Sequence, residues 1–342
     1  MIYTRLVRPW LFRFDPETVH EWAVWLSRWT LARNRPLAAW LRVDDPVVLA
    51  GLRFPNRIGL AAGFDKNAQF IAPAETLGFG HIEVGAVTPL PQAGHPRPRL
   101  FRVGQEGVLR NRMGFNNDGA DAVVRRIPPP GSRRILVGLN LGKGAATPLE
   151  RAAEDYLQVL RSSYERVDYF SINVSSPNTT DLRDLGRGAL LRSLALQLVK
   201  ASSRESERRG IPRRPLWLKV SPDQSDDELK EVADIAAETG LDGLIASNTT
   251  TARLGRYASV DPQGGLSGLA VRERSCQMVT LLRERQGPGY PLIGVGGVTD
   301  EASARAMRSA GADLVQIYTG FVYEGPSLPH QLARALKGWR EP

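Results

Sequence analysis

Four asparagines spread along the chain carry side chains that suit the binding of a flat ligand. The amides of Asn111, Asn173, Asn178 and Asn248 both donate and accept hydrogen bonds. They match a ring whose edge alternates N–H and C=O groups, as a pyrimidine does. A single asparagine is more often a turn residue, but four that meet at one place favour the binding interpretation.

Two lysines also follow or end short apolar runs of the sequence. Lys66 and Lys219 are two of only six lysines in the chain. Each could neutralise a carboxylate, form a Schiff base or stabilise a developing anion on a cofactor. No His, Asp or Glu accompanies them in these motifs as an evident general base, which argues against ordinary hydrolase chemistry.

Glycine-rich turns near the end of the chain predict a phosphate site. Gly294-Val-Gly-Gly297 and Tyr318-Thr-Gly320 end the last two apolar runs, and a helix is expected to start near Thr299. Glycines let backbone N–H groups approach an anion, and a helix start adds the positive end of its dipole. Glycine also serves tight turns, so the position of these motifs is what strengthens the prediction.

The elements that position these residues alternate in a regular way. Short runs rich in Val, Ile and Leu alternate with helical patterns, which is typical of a parallel sheet built from βα units. A doubly wound open sheet is the alternative, but the first strand lacks a Gly-x-Gly-x-x-Gly turn. Eight strands therefore predict an α/β fold, a closed (β/α)8 TIM barrel with its site at the carboxyl ends of the strands. The expected strands are Ile58–Ala61, His81–Gly85, Ile135–Asn140, Tyr169–Asn173, Leu216–Val220, Gly243–Ser247, Leu292–Val295 and Leu314–Tyr318.

Helical periodicity fills the gaps between most of these strands. The stretch Thr88 to Asp118, rich in Pro, Arg and Gly, predicts one enlarged loop. The expected helices are Pro148 to Glu165, Ala189 to Arg209, Asp226 to Thr239, Val271 to Glu284, Asp300 to Ala310 and Leu328 to Trp339.

Composition limits the class of protein. The chain has 342 residues, of which 42% are hydrophobic and 24% charged, so it is globular rather than disordered. The single cysteine, Cys276, excludes a disulfide framework, and the four histidines show no ligand-like spacing. The net charge of +9 comes from arginines spread along the chain, so nucleic-acid binding is the less favoured interpretation.

The first 55 residues differ from the rest of the chain. They hold eight Arg against five Asp and Glu, and five of the seven tryptophans. Asp15-Pro16-Glu17 predicts the start of an amphipathic helix, and Pro36–Arg42 predicts a second one. Packing on the main domain and lying in a membrane interface are equal alternatives by composition. We predict a helical segment at residues 1–42 and a barrel at 43–342, with neither a signal peptide nor a membrane span.

Six motifs along nearly the whole chain resemble those of the dihydroorotate dehydrogenases. Ser-Ser-Pro-Asn carries serine where class 1 enzymes carry cysteine, so it resembles class 2, the quinone-dependent enzymes, as does the N-terminal helical segment. The motifs are Gly63-Phe-Asp-Lys66, Asn111-Arg-Met-Gly-Phe-Asn116, Asn173-Val-Ser-Ser-Pro-Asn178, Ser247-Asn-Thr-Thr250, Gly264-Gly-Leu-Ser-Gly268 and Gly294-Val-Gly-Gly297.

This resemblance implies FMN in the barrel mouth with dihydroorotate or orotate beside it. Ala86 and Ser247 depart mildly from the family, where hydroxylated residues and threonine are common. The implied FMN contacts are Ala62, Gly63, Phe64, Asp65, Lys66, Ala86, Asn140, Asn173, Lys219, Ser247, Gly268, Gly297, Tyr318 and Thr319. The implied substrate contacts are Lys66, Asn111, Arg112, Met113, Gly114, Phe115, Asn173, Asn178, Asn248 and Thr249.

The resemblance also implies a mechanism and a place in the cell. Ser176 would remove the C5 proton of dihydroorotate while hydride leaves C6 for the flavin, and Lys219 would stabilise the reduced flavin. Ubiquinone or menaquinone would then take the electrons near His20, Arg102 and Tyr318. The enzyme would serve pyrimidine (UMP) biosynthesis as a peripheral protein on the cytoplasmic face of the bacterial inner membrane.

Two other functions remain open at the level of sequence. A Schiff-base aldolase barrel would use Lys219 as its nucleophile and the glycine turns for a substrate phosphate. A flavin barrel that modifies RNA would use the basic charge, but it should carry a basic appendage that is not evident here.

Overall fold

Eight parallel strands close into a barrel, which confirms the predicted (β/α)8 architecture. The computed structural model describes residues 2–104, 107–176, 178 and 182–339. Pro177 of the Ser-Ser-Pro-Asn motif and residues 340–342 of the predicted barrel domain lie outside these described residues. The barrel strands are buried along nearly their whole length, as expected for strands with helices outside and packed side chains inside.

The predicted strands are all present, with small shifts at their ends. The first barrel strand continues past Ala61 to Asp65, because a register shift after Leu60 lets it follow its neighbour. In chain order the strands are β1 (Val47–Leu49), β2 (Leu52–Phe54), β3 (Ile58–Asp65), β4 (His81–Val87), β5 (Leu100–Val103), β6 (Val108–Asn111), β7 (Leu136–Leu141), β8 (Tyr169–Asn173), β9 (Leu216–Lys219), β10 (Gly243–Ala246), β11 (Gly265–Gly268), β12 (Leu292–Val295) and β13 (Leu314–Ile317). The barrel order is β10-β12-β13-β3-β4-β7-β8-β9.

The six predicted helices of the barrel are present within a few residues, and three short helices, Ile71–Thr76, Ala120–Arg126 and Thr319–Glu324, were not predicted. Two of the predicted helices begin at capping boxes, in which Ser225 and Asp300 each accept a hydrogen bond from the third residue of the helix. In chain order the α-helices are α1 (Arg8–Leu11), α2 (Pro16–Thr30), α3 (Arg35–Leu41), α4 (Ile71–Thr76), α5 (Ala120–Arg126), α6 (Ala152–Ser163), α7 (Gly188–Arg209), α8 (Asp226–Glu238), α9 (Arg272–Gln286), α10 (Glu301–Ser309), α11 (Thr319–Glu324) and α12 (Leu328–Leu336).

The N-terminal segment contains the two predicted helices and one that was not predicted. Helix α2 starts at Pro16 because the Asp15 carboxylate accepts the backbone N–H of Thr18 at 2.9 Å. The unpredicted piece precedes α2 and consists of a π-helical stretch, Tyr3–Val7, that continues directly into α1. The Tyr3 hydroxyl donates to the carbonyl oxygen of Val322 at 2.6 Å, so this first helical piece is attached to the barrel.

Aromatic side chains close the barrel at the amino ends of its strands. The β1–β2 hairpin carries Phe54, which is fully buried. Its ring centroid lies 5.3 Å from His81 and 6.0 Å from Trp217. Tyr169 stacks on Trp217 at 4.8 Å. These four rings form the floor of the barrel, at the end opposite the predicted site.

The predicted enlarged loop after β4 contains two strands of its own. Strand β6 pairs with β5 on one side and with β11 on the other, which makes a three-stranded antiparallel sheet. Helix α2 packs against β5. The N-terminal segment therefore contacts the barrel partly through this added sheet.

Candidate active site

The carboxyl ends of the barrel strands surround one pocket, and most of the predicted site residues line it. They come from the ends of the strands, from the loops that follow them and from the added sheet, so the fold brings them together. The predicted residues that line this pocket, here called the mouth pocket, are Ala62, Gly63, Lys66, Ala86, Asn111, Met113, Gly114, Phe115, Asn140, Asn173, Ser176, Asn178, Lys219, Ser247, Asn248, Thr249, Gly268, Gly297, Tyr318 and Thr319.

Three of the residues predicted to contact FMN or the substrate lie outside the mouth pocket. Asp65 is buried, and its carboxylate accepts three backbone N–H groups from residues 67–70, so it shapes the turn after β3. Phe64 lines a second cavity instead. The Arg112 guanidinium donates to the carbonyl oxygen of Pro98 at 3.0 Å.

Amide hydrogen bonds connect the asparagines of the mouth pocket. Nδ2 of Asn178 donates to Oδ1 of Asn111 at 3.0 Å. Nδ2 of Asn173 donates to Oδ1 of Asn140 at 3.0 Å, and Asn248 approaches Oδ1 of Asn173 at 3.5 Å. The amides therefore hold one another in defined orientations before any ligand binds.

Ser176 lies on the loop after β8 at the wall of the mouth pocket. It is 5% exposed, and its Oγ accepts the backbone N–H of Asn178 at 3.3 Å. No His, Asp or Glu of the described residues forms a hydrogen bond with it. A hydroxyl in this setting removes a proton only if water or the bound ligand takes up its own.

Lys219 ends β9 and places a buried amine in the mouth pocket. It is 5% exposed and makes no hydrogen bond or ion pair with the described part of the chain. Burial lowers its pKa, and the negative charge of Glu83 acts against that change. The amine is therefore available to an anionic ligand.

Lys66 approaches the mouth pocket from the turn after β3. Its Nζ donates to the carbonyl oxygen of Gly63 at 2.7 Å. Burial lowers the pKa of Lys66 to about 8, while Glu17 acts in the opposite direction. The ammonium is mostly protonated at neutral pH and is placed to meet a carboxylate.

The turn after β12 supplies unpaired backbone donors to the mouth pocket. Gly296 and Gly297 have φ values of +134° and +71°, which only glycine adopts without strain. A Cβ at Gly296 would lie 2.3 Å from Oγ of Ser275 on α9. The N–H groups of both glycines donate to no acceptor among residues 2–104, 107–176, 178 and 182–339. They are free to bind an anionic group.

Three polar residues below the mouth asparagines were not predicted. Glu83 on β4 is fully buried; its carboxylate accepts Nε2 of Gln316 at 2.7 Å and Oγ of Ser171 at 2.9 Å. The sequence carried a signal, because Glu83 interrupts an otherwise apolar strand. A buried carboxylate needs donors to satisfy it, which makes such a residue a candidate for a structured polar site.

A second cavity of about 330 Å³, here called the apolar cavity, lies between α2 and the barrel. Its lining is mostly apolar. His20, Arg102 and Tyr318, the residues predicted to line the quinone end, all border it. Tyr318 borders the mouth pocket as well, so the two cavities share a wall.

The imidazole of His20 and the guanidinium of Arg102 are among the polar side chains that border the apolar cavity. His20 meets the ring of Phe64 edge-on at 4.6 Å, and burial lowers its pKa to about 3, so the imidazole is neutral. Arg102 donates to the carbonyl oxygen of Phe14 at 2.8 Å, while its Nε is buried without a partner in the described chain. Few polar groups in an apolar lining are typical of a site for a mostly apolar ligand.

Large apolar side chains are exposed on the N-terminal helices. Trp25, Trp29 and Trp40 are 61%, 76% and 72% exposed. Exposed apolar groups in such a concentration mark an interaction surface. Among the described residues, no helix is long and apolar enough to cross a membrane.

Comparison with known proteins agrees with this geometry. The family model for dihydroorotate dehydrogenase matches residues 46–339. Dihydroorotate dehydrogenase (quinone) from Leptothrix cholodnii is 46% identical over 97% of this chain and 98% of its own length, and the protein of the same name from Methylibium petroleiphilum is 47% identical, with the same coverage. The crystal structure of DHODH from Eimeria tenella in complex with ferulenol superposes with a TM-score of 0.85 at 34% identity, covering 94% of this chain and 90% of that one.

The family model covers most of the barrel, and the two relatives are more than 40% identical over nearly the full length of this chain. The N-terminal helices lie within the span shared with the quinone enzymes. This chain therefore belongs to the quinone-dependent dihydroorotate dehydrogenase family.

Proposed function

We propose that this chain oxidises (S)-dihydroorotate to orotate with FMN as hydride acceptor and a membrane quinone as final acceptor, in de novo pyrimidine biosynthesis. The observation that carries the proposal is the mouth pocket, where amide side chains, Ser176 and the unpaired amine of Lys219 meet. The family is flavin-dependent, and its quinone class matches the adjacent apolar cavity.

The residues of the mouth pocket fit FMN. Unpaired N–H groups of Gly296 and Gly297 suit its phosphate, and the buried amine of Lys219 suits negative charge on its ring. Ser247 is one of the two departures from the family, and its hydroxyl forms a hydrogen bond with Oγ of Ser275 at 2.8 Å. Ser247 and Ala86 would therefore meet the flavin through backbone or apolar contact.

The amides of the mouth pocket would hold the substrate ring. Asn111, Asn173, Asn178 and Asn248 offer both donors and acceptors, as the two imide-like edges of dihydroorotate require. Lys66 would bind the carboxylate of the substrate, since its ammonium lies at the same pocket. Two kinds of contact, with the ring edge and with the carboxylate, fix both the position and the direction of the ring.

Ser176 is the residue that we assign as the base. Its buried Oγ, held by the N–H of Asn178, would remove the C5 proton of dihydroorotate. FMN, when bound, supplies the acceptor for the hydride from C6. As Ser176 takes the C5 proton, its own hydroxyl proton would pass to a bound water.

The apolar cavity would admit the quinone head group. His20 is neutral and the buried Nε of Arg102 has no partner among the described residues, so donors are present for a quinone carbonyl. Tyr318 borders both cavities, so a ligand in the apolar cavity would come close to a flavin in the mouth pocket.

The N-terminal segment, residues 1–42, would bring this entrance to the membrane. Its exposed tryptophans and flanking arginines suit the headgroup region of a lipid surface. We propose peripheral association with the cytoplasmic face of the bacterial inner membrane, with residues 43–342 as the FMN-binding barrel. The basic balance of the segment agrees with anionic lipid rather than nucleic acid.

An anaerobic visible spectrum of the purified chain tests the proposal. The expected protein is yellow, bleaches on addition of dihydroorotate, does not bleach with NADH, and regains its colour with a soluble quinone. A colourless protein that traps a carbonyl substrate on lysine with borohydride would contradict it. A flavoprotein that NADH reduces directly would contradict the quinone assignment alone.

A further inference from the structure

Glu83 is a fully buried carboxylate below the asparagines of the mouth pocket, and three donors point at it. Oε1 accepts Nε2 of Gln316 at 2.7 Å. Oε2 accepts Oγ of Ser171 at 2.9 Å and, at the longer distance of 3.5 Å, Nδ2 of Asn140. Gln316 donates to Glu83 with its Nε2, while its own Oε1 has no donor in the described chain. In this arrangement both carboxylate oxygens act only as hydrogen-bond acceptors.

The hydrogen bonds above Glu83 all run in one direction. Ser171 donates to Glu83 and therefore accepts Nδ2 of Asn140, at 2.6 Å. Asn140 is thereby turned so that its Oδ1 accepts Nδ2 of Asn173 at 3.0 Å. Asn173 faces Nδ2 of Asn248 with its Oδ1 at 3.5 Å, but the Asn248 amide is held separately, since its Nδ2 donates to Oγ of Ser175 at 2.9 Å and its Oδ1 accepts the N–H of Thr249 at 2.8 Å. Each amide has one donor side and one acceptor side, so the acceptor at the start of the chain sets the orientation of Asn140 and Asn173.

Glu83 also faces the cation of the mouth pocket. Lys219 has no ion pair among the described residues, and Glu83 is the one charged group that supports its protonated form. Lys219 and Asn173 are cross-strand neighbours on β9 and β8. The carboxylate therefore influences the amine and the amides from the same position.

We propose that Glu83 is a positioning residue whose carboxylate orients the amides of Asn140 and Asn173 through Ser171. It touches neither substrate nor cofactor. It decides which of the amide groups at the mouth donate and which accept, and so decides the match to the edge of a pyrimidine ring. The inference rests on the proposed function, because the orientation of these amides matters to catalysis only if the pocket binds such a ring.

Orotate binding to the FMN-loaded protein, measured by calorimetry, tests this role. Glu83→Gln keeps the shape of the side chain, but a glutamine can donate as well as accept, so it no longer fixes the direction of the chain. We expect the orotate dissociation constant to rise by about tenfold, the cost of misaligned amides at a buried site. Ser171→Ala removes the link and leaves Glu83 in place; a rise of about fivefold is expected.

A double variant separates orientation from simple structural damage. If both residues act through one chain, Glu83→Gln combined with Ser171→Ala weakens orotate binding little more than Glu83→Gln alone, because coupled sites are not additive. Ser163→Ala and Glu205→Gln are matched controls. Ser163 is equally buried but bonds only within α6, and Glu205 pairs with arginines on α7. Both controls should bind orotate like the unaltered chain.

The possible outcomes are distinct. An unaltered chain that binds no orotate overturns the proposed function and this inference with it. An unaltered chain that binds orotate, with Glu83→Gln within twofold of it, overturns the role of Glu83 alone. If the increases in the orotate dissociation constant multiply in the double variant, the two residues act independently, and this result also overturns the proposal. If Glu83→Gln does not fold, Ser171→Ala carries the test, and an unchanged dissociation constant in that variant overturns the proposal.

Discussion

Glu17 on α2 and Arg99 at the start of the added sheet form a buried ion pair. Nε of Arg99 donates to the Glu17 carboxylate at 3.0 Å and Nη2 donates to it at 2.7 Å, with side chains only 7% and 5% exposed. Nη1 of Arg99 also donates to the carbonyl oxygen of His95 at 2.9 Å. This pair fixes α2, which walls the apolar cavity, to the loop that borders the mouth pocket.

Loss of one partner from this pair should destabilise the N-terminal segment. Glu17→Gln leaves the Arg99 guanidinium buried and uncompensated, so we expect the free energy of unfolding to fall by about 3 kcal/mol. Quinone reduction should slow, since α2 lines the apolar cavity, and dihydroorotate should bind more weakly, since Glu17 favours the ammonium form of Lys66. Urea unfolding and the two half-reactions measured separately check this. Glu21→Gln, on the exposed side of α2, is the control and should change stability by less than about 0.5 kcal/mol.

The base assignment predicts a specific kinetic defect. Ser176→Ala should slow flavin reduction by dihydroorotate by roughly 10²- to 10⁴-fold, the usual contribution of a positioned proton acceptor. FMN content should stay the same, because the hydroxyl is not a proposed flavin contact. Stopped-flow absorbance of the flavin under anaerobic conditions gives the rate. Ser202→Ala removes an equally buried hydroxyl that bonds Arg214 instead, and it should reduce at the normal rate. Normal reduction by Ser176→Ala would refute the assignment.

The lowered pKa of Lys66 predicts how orotate affinity depends on pH. The pKa is about 8 in the protein without ligand. An orotate carboxylate prefers the ammonium form, so affinity should be constant well below pH 8 and fall as pH rises through that value, by up to about tenfold per unit. Calorimetry between pH 6 and 9.5 measures this.

Substitution at Lys66 provides the control for this pH dependence. Lys66→Arg keeps a charge that does not titrate in this range, so its affinity for orotate should be flat. A break near pH 8 in that variant would assign the titration to another group. The free energy of unfolding should depend on pH in the opposite direction to orotate affinity. The ammonium form of Lys66 lowers the free energy of unfolding below pH 8, and this loss disappears between pH 8 and the ordinary lysine pKa of 10.5.

The exposed tryptophans predict a measurable affinity for lipid. Replacing Trp25, Trp29 and Trp40 together by Gln should weaken binding to anionic vesicles by roughly 100-fold, at about 1 kcal/mol for each half-buried ring. Reduction of the flavin by dihydroorotate should not change, because none of the three lines the mouth pocket. Vesicle sedimentation measures the binding. Leu254→Gln, a 77% exposed apolar residue elsewhere, should leave it unchanged, and equal loss in both variants would exclude a specific surface.

The fold could be predicted because its signal is periodic. Eight apolar strands and six long helices alternate with regular spacing, and caps such as Asp15 and Ser225 mark where helices begin. The added sheet could not be predicted in the same way. Its central strand β6 pairs with β5 and also with β11 from a distant part of the chain, and only tertiary contact identifies such pairing.

The site was predicted where its chemistry lies in short motifs. Lys219 and the asparagines stand in runs that resemble a family, and the structure places them at one pocket. Glu83 was not predicted from the sequence because it acts through Ser171 from below the pocket. No local motif marks a residue that acts through another one. Helix α1 was not predicted either, because no capping side chain marks its start and its contacts are with the far end of the chain.

The aromatic floor formed around Phe54 has an electrostatic consequence. Phe54 and Trp217 are fully buried and stack at the amino end of the barrel, so dissolved ions cannot approach Glu83 from that side. The mouth pocket, which the ligands themselves occupy, lies at the opposite end of the barrel. Added salt should therefore screen the arginines of the surface while leaving the attraction between Glu83 and Lys219 nearly intact once the mouth is filled.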